Sequence, residues 1–336
     1  MPLVRIGDVS FNIEVEGPPK APFVMLSNSL GSNYHMWDPQ MADLTRQYRV
    51  IRYDSRGHGR SHADDGPYSI AGLGRDALAI MDALGVTKTH WVGLSKGGMV
   101  GMWLLANAPA RIERAVLANT GAHMGGPDLW NSRIRAARAS GLAGLGAATM
   151  ERWFTRDFRR AHPQTVAKIL EMFLATPPHG YAACCAAIRD MDQREAIRSI
   201  NKPVLVIVGS HDPAAAPGLG HEIAASIPGA KTVALDAAHL SNIEDPANFT
   251  KAVLDFLSGK EISAPVPRKR ARRKPAPAKA PAKAPAKKAP EVTKPAPKKT
   301  PAKKAPPKKA PAKKPAAKAP AKKAAKKSQT KKKSRR

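Results

Sequence analysis

The chain has 336 residues, with 56 Lys and Arg against 26 Asp and Glu, for a formal net charge of +30. That charge is unevenly placed: residues 261–336 hold 29 Lys or Arg with only Glu261 and Glu291, a net of +27, which leaves +3 for residues 1–260. A polyanion-binding globular domain is thereby excluded, because the basic character belongs to an appendage made almost wholly of Lys, Ala and Pro.

The two cysteines, Cys184 and Cys185, are adjacent, so they supply neither a disulfide framework nor spaced metal ligands. The first residues alternate apolar and polar, and no run of about 18 apolar residues occurs. A soluble, cytoplasmic protein is expected.

In chain order, segments 4–6 and 9–15 flank Gly7-Asp8 and predict an opening antiparallel hairpin. Short apolar runs follow at 23–29, 50–54, 90–95, 115–120, 204–210 and 232–236, each ending in a polar or glycine-rich loop. They read as buried parallel strands. Helical patterns sit between several of them, at 73–84, 97–107 and 220–227, and a last one begins at Pro246. This alternation predicts an α/β protein with a mostly parallel, doubly wound sheet, whose reactive groups belong at the carboxyl ends of the strands.

Residues 121–200 break the alternation with helical segments and no clear strand. They read as an inserted helical cap, the alternative being extra helices packed on the sheet. The expected organisation is a core of 1–120 and 201–260, a cap of 121–200, and a disordered tail of 261–336.

Gly93-Leu94-Ser95-Lys96-Gly97 leaves an apolar strand and opens a helix, the context that gives a Gly-x-Ser-x-Gly match its meaning. Serine on that tight turn is presented at a helix N-terminus, where partial positive charge favours developing negative charge. The bland alternative is a serine in a glycine-rich turn with no chemistry. A serine hydroxyl also needs a base within reach and an acid to orient that base.

Both partners should follow the serine in chain order: Asp212 lies beyond 204–210 in GSHDPAAAP, and His239 beyond 232–236 in AAHLSN. His211 and His58 are rival bases, but the first adjoins the acid and the second sits early, in DSRGHGRS. Asp236 is the rival acid. A tetrahedral intermediate needs two backbone donors, which Lys96 and, in the loop Asn28-Ser29-Leu30-Gly31, Leu30 would supply.

The stretches LSNSLGSNYHMWDPQ (26–40), RYDSRGHGRS (52–61), GLSKGGMVGMWL (93–104), ERWFT (151–155), YAACCAAIRDMDQR (181–194), GSHDPAAAP (209–217) and LDAAHLSNIEDP (235–246) carry a family resemblance. From about residue 1 to 258 the chain resembles the 3-oxoadipate enol-lactonases of the α/β-hydrolase superfamily. The resemblance implies an α/β-hydrolase fold, the triad Ser95, Asp212 and His239, and hydrolysis of the enol-lactone of 3-oxoadipate without metal or organic cofactor.

Such a substrate bears a free carboxylate, so the pocket should hold a cation. Arg133, one helical turn from Trp130, is the first choice, with a solvated helix face as the alternative; Trp153 lines the same cavity or simply packs. Lys96 departs from the usual methionine of the family. Its side chain either helps attract the carboxylate or runs along the upper rim of the sheet.

Other small-ester or lactone hydrolases and cofactor-free perhydrolases share the visible motifs, while dehalogenases and epoxide hydrolases usually carry aspartate in place of Ser95. The opposing class is a nucleic-acid-associated protein using the fold as a scaffold. Residues 268–336 repeat PAKKAP-like units with no aromatic residue, a composition that cannot build a core and resembles histone H1-like tails. Nonspecific binding of nucleic acid or another polyanion is the expectation for that segment.

Overall fold

A computed structural model describes residues 3–262 and 265 of the chain. The expectations for the basic segment from 266 onward lie outside the described residues.

Among the described residues nine strands are formed: β1 (Val4–Ile6), β2 (Val9–Phe11), β3 (Ile13–Glu16), β4 (Phe23–Ser27), β5 (Arg49–Tyr53), β6 (Thr89–Leu94), β7 (Ile112–Ala118), β8 (Val204–Gly209) and β9 (Lys231–Leu235). The hairpin of β1 and β2 stands alone as a two-stranded sheet, turned by Gly7 at φ +59°. The other seven form one sheet in the order β3-β5-β4-β6-β7-β8-β9, antiparallel only at its β3 edge. All six residues of β8 are buried, which is why its sequence is an unbroken apolar run instead of an alternating one.

The sequence reads 9–15 as one strand, and the structure divides it at Asn12. Its amide donates to Ser61 Oγ (2.9 Å) and its carbonyl accepts from the Asp54 amide (3.0 Å). Those bonds commit Asn12 to the loop after β5, so neither ladder can use it.

Helices α1 (Asp38–Leu44), α2 (Ile70–Ala83), α3 (Lys96–Asn107), α9 (Pro217–Ser226), α10 (Ser241–Glu244) and α11 (Pro246–Leu257) pack around the sheet. In α2, Ile70, Leu73, Ala77, Ile80 and Met81 are buried at helical spacing, Ser69 accepts the Gly72 amide (3.0 Å), and Gly85 at φ +66° ends the turn beyond it. Each large side chain so buried contributes about 1.5–3 kcal/mol. On the sheet, α3 packs on β6 and β7, α9 on β8 and β9, and α11 on β7, β9 and α1.

Between β7 and β8 the chain forms α4 (Pro127–Ser140), α5 (Ala143–Trp153), α6 (Arg156–Ala161), α7 (Pro163–Leu174) and α8 (Pro178–Arg189), with no strand. This is the helical insertion that interrupts the α/β alternation. Among the described residues no helix is long and apolar enough to cross a membrane.

Candidate active site

Ser95 follows the last residue of β6 and precedes the first of α3, with φ +57° and ψ −114°. Left-handed backbone at a non-glycine residue costs about 1–3 kcal/mol and persists only where its surroundings fix it. Here the Ser95 amide donates to the Ala118 carbonyl (2.8 Å), and the Ser95 carbonyl accepts from Thr120 Oγ1 (2.8 Å) and the Met99 amide (3.1 Å). The flanking glycines are sterically required: a Cβ at Gly93 would collide with the Gly97 carbonyl, and one at Gly97 with the Ser27 carbonyl.

Asp212 and His239 leave the ends of β8 and β9 and meet in the interior. His239 Nδ1 lies 2.8 Å from Asp212 Oδ2, and both side chains are almost wholly buried. The Asp212 carboxylate also accepts the Asn119 side-chain amide (3.0 Å) and the Ala214 and Ala215 backbone amides (2.8 and 2.9 Å). Ser241 Oγ in turn donates to Asn119 Oδ1 (2.6 Å).

Asn119 escapes sequence reasoning although it directly follows β7, at φ +47°, because its partners lie about a hundred residues downstream. The rival pair, His211 and Asp236, bond each other at 2.7 Å on the exposed surface. A carboxylate so supplied with donors, holding Nδ1–H of a buried imidazole, leaves Nε2 as the free basic nitrogen.

Ser95 and His239 line one cavity together with Leu30, Arg133 and Trp153. In the loop after β4, the Ser29 amide is directed at Met36 Sδ (3.4 Å), the Gly31 amide at His58 Nε2 (2.8 Å) and the Ser32 amide at the Ser29 carbonyl (3.3 Å). The Leu30 amide alone of these has no acceptor among the described residues. The Lys96 amide occupies the first position of α3, where helical N–H groups have no intrahelical partner.

The Lys96 side chain takes the second of its two expected courses. It is 1% exposed, lies outside the cavity lining, and runs along the carboxyl ends of the strands from β6 past β4 to donate to Ser55 Oγ after β5. Burial lowers its pKa below the ordinary lysine value.

On the insertion side, α4 and α5 contribute the charged wall. The Arg133 guanidinium stacks over Trp130, 4.8 Å from the ring centroid. Arg152 also lines the cavity and donates to Thr149 Oγ1 (3.1 Å); burial, and then the nearby Arg133 charge, lower its pKa. Neither arginine has a carboxylate within ion-pair distance among the described residues.

Sequence reasoning finds Arg133 and misses Arg152, one residue before Trp153 in the same ERWFT stretch. Trp153 both lines the cavity and packs edge-on against Phe173 (5.7 Å), and its carbonyl accepts the Leu240 amide (3.0 Å) beside His239. Ser29 Oγ, in the loop after β4, lines the same cavity and is buried with no hydrogen-bond partner among the described residues.

A parallel sheet with a strained serine at one strand end and a buried His–Asp pair at two others is the arrangement of an α/β-hydrolase. The family model of the α/β-hydrolase fold matches residues 22–246, and the chain belongs to that family. Within it, the chain is 39% and 37% identical to two 3-oxoadipate enol-lactonases of Acinetobacter baylyi, over 74% and 73% of its own length and 93% and 92% of theirs. Among solved structures, the enol-lactonase of Burkholderia xenovorans is 44% identical with a TM-score of 0.75, the match covering 76% of this chain and all of that one. A hydrolase from Pseudomonas aeruginosa, also 44% identical, matches with a TM-score of 0.74 over 76% of this chain and 97% of that one.

Proposed function

We propose that this hydrolase opens the enol-lactone of 3-oxoadipate, with Ser95 as nucleophile, His239 as general base and acid, and Asp212 as the group that orients His239. One observation carries the reading: a cavity lined by a strained serine and by the histidine of a buried His–Asp pair is also walled by two arginines with no carboxylate in ion-pair distance among the described residues. A half-buried guanidinium without a counter-charge suits a carboxylate-bearing ligand.

In this mechanism His239 Nε2 takes the Ser95 proton as Oγ attacks the lactone carbonyl. The Leu30 and Lys96 amides receive the oxyanion, and losing one such donor typically costs about a hundred- to a thousand-fold in rate. Collapse breaks the ring C–O bond; the enolate leaves, is protonated, and tautomerises to the ketone. Water, deprotonated by His239, then attacks the acyl-serine and releases the second carboxylate. Arg133 and Arg152 hold the carboxylate that the substrate already carries, with Trp153 closing the apolar wall.

The test is loss of enol-lactone absorbance in the ultraviolet. The wild-type chain turns the substrate over, and Ser95→Ala lowers turnover by several orders of magnitude. Equal rates in the two would reject the mechanism, and wild-type turnover of simple esters alone would redirect it to the general esterases.

The division into a core of 1–120 and 201–260 beneath a cap of 121–200, and a cytoplasmic location, go with this reading. For residues 268–336, whose sequence is dense in lysine, the reading is nonspecific binding to nucleic acid or another polyanion, weakening steeply with salt. Deleting 261–336 should leave turnover unchanged and abolish retention on DNA at low salt; loss of turnover on truncation would contradict this, and persistent retention would place the polyanion site elsewhere.

A further inference from the structure

His58 belongs to no step of the mechanism above, yet it is fully buried directly beneath the oxyanion loop. It sits in the loop 54–62, which Asp54 braces. The Asp54 carboxylate accepts the Asn12 side chain (2.8 Å), the Arg60 amide (3.0 Å) and the Tyr34 amide (2.8 Å), tying this loop to the segment that follows Gly31.

The tautomer of His58 follows from its partners. A backbone amide can only donate, and the Gly31 amide points at Nε2 from 2.8 Å, so Nε2 carries no proton. A neutral ring then keeps its single proton on Nδ1, which faces the Arg56 carbonyl (3.3 Å) with Cys184 Sγ at 3.9 Å.

Burial and the Lys96 charge oppose a second ring proton, while the bond to the Arg56 carbonyl acts more weakly the other way. Lys96 of α3 is the nearby cation and has no carboxylate in ion-pair distance among the described residues. Cys184 of α8 is a thiol that burial pushes up to about 11, and Arg56 is engaged by Asp76 (2.9 Å). Burial first, and then the Lys96 charge, hold His58 well below the ordinary histidine range. A second ring proton would set N–H against N–H at Gly31.

We infer that His58 is a positioning residue of the oxyanion loop: by accepting the Gly31 amide it fixes the peptide next to Leu30, so that the Leu30 amide remains turned toward the reacting carbonyl. Ser29, Gly31 and Ser32 all spend their amides inside the protein, and the loop therefore offers one backbone donor, the Leu30 amide, to a ligand. This rests on the reading of Leu30 as an oxyanion donor.

The test uses the full-length chain. His58→Leu, which removes the acceptor, should lower kcat by about ten- to a hundred-fold with KM little changed, as expected of a donor displaced by about an ångström. His58→Gln, whose side-chain carbonyl can accept the same amide, should recover most of that loss. A boronic acid, which forms a tetrahedral anion on serine, should weaken against His58→Leu by the factor lost in kcat, whereas a product-like keto acid should not.

An unchanged kcat in His58→Leu, or equal losses in the Leu and Gln variants, overturns the inference. If His58→Leu does not fold, histidine-labelled wild type decides by nitrogen NMR. A bare Nε2 at neutral pH supports the inference, and a protonated one overturns it. Ser95→Ala run alongside separates the two readings: an active Ser95→Ala removes the mechanism itself, while an inactive one beside a fully active His58→Leu removes only the role of His58.

Discussion

The cavity has two walls built on different principles. On the sheet side, Ser95, Asp212 and His239 come from three strand ends and are fixed by buried, directional bonds, among them Asn119 to Asp212 (3.0 Å) and Asp212 to His239 (2.8 Å). On the insertion side, Trp130, Trp153 and Phe173 are held by apolar packing, and the two arginines project from helices with no ion-pair partner among the described residues. In the proposed mechanism the sheet wall makes and breaks the bonds and the helical wall holds the substrate carboxylate, so changes to the two should affect different kinetic constants.

The largest effect is expected on the sheet side. Asp212→Asn preserves shape but removes the acceptor that selects the Nδ1–H tautomer of His239, and should lower kcat by about 10⁴-fold, measured by enol-lactone absorbance. A loss confined to KM would place Asp212 in binding instead of catalysis.

A smaller effect should follow on the insertion side. Arg133→Ala and Arg152→Ala should each reduce kcat/KM for the carboxylated lactone by about ten- to a hundred-fold, through KM, the range expected for one charged hydrogen bond. The same variants should leave hydrolysis of a neutral ester almost unaltered. Equal losses on both substrates would mean that the arginines shape the cavity without reading charge.

The smallest effect concerns stability. His58 is neutral in the folded chain below the pH at which it would titrate unfolded, so the unfolded state binds the extra proton first. The stability this site contributes is fully present above the ordinary histidine pKa of 6.5 and is lost as pH falls below it. Urea titrations from pH 7 to about 5 should show a shallower decline for His58→Gln than for wild type. Identical slopes would mean that His58 does not titrate differently on folding.

Much of the sheet wall is legible in sequence because its constraints are local. β8 reads as an apolar run since both its faces are covered, and Gly93 and Gly97 stand where any Cβ would strike backbone. The placement of Asp212 and His239 follows from strand order and the loops that leave each strand.

What sequence does not show are bonds closed across long stretches of chain. Asn119 reaches Asp212 and Ser241, Gly31 reaches His58, and Asn12 breaks a strand to serve Ser61. Arg152 is hidden for another reason: helical phase alone does not say which side of α5 faces a cavity. Lys96 shows the same limit, since sequence leaves its side chain two courses, toward the substrate carboxylate or along the rim of the sheet, and only the folded chain selects the bond to Ser55.

The central claim, that one hydroxyl made reactive by the Asp212–His239 pair carries the chemistry, is tested most directly by covalent labelling with an organophosphonate followed by peptide mass analysis. One equivalent of label on Ser95, with enol-lactone turnover falling in proportion to its incorporation, is the result expected. Full labelling of Ser95 with turnover intact, or inactivation with the label on another residue, would contradict it.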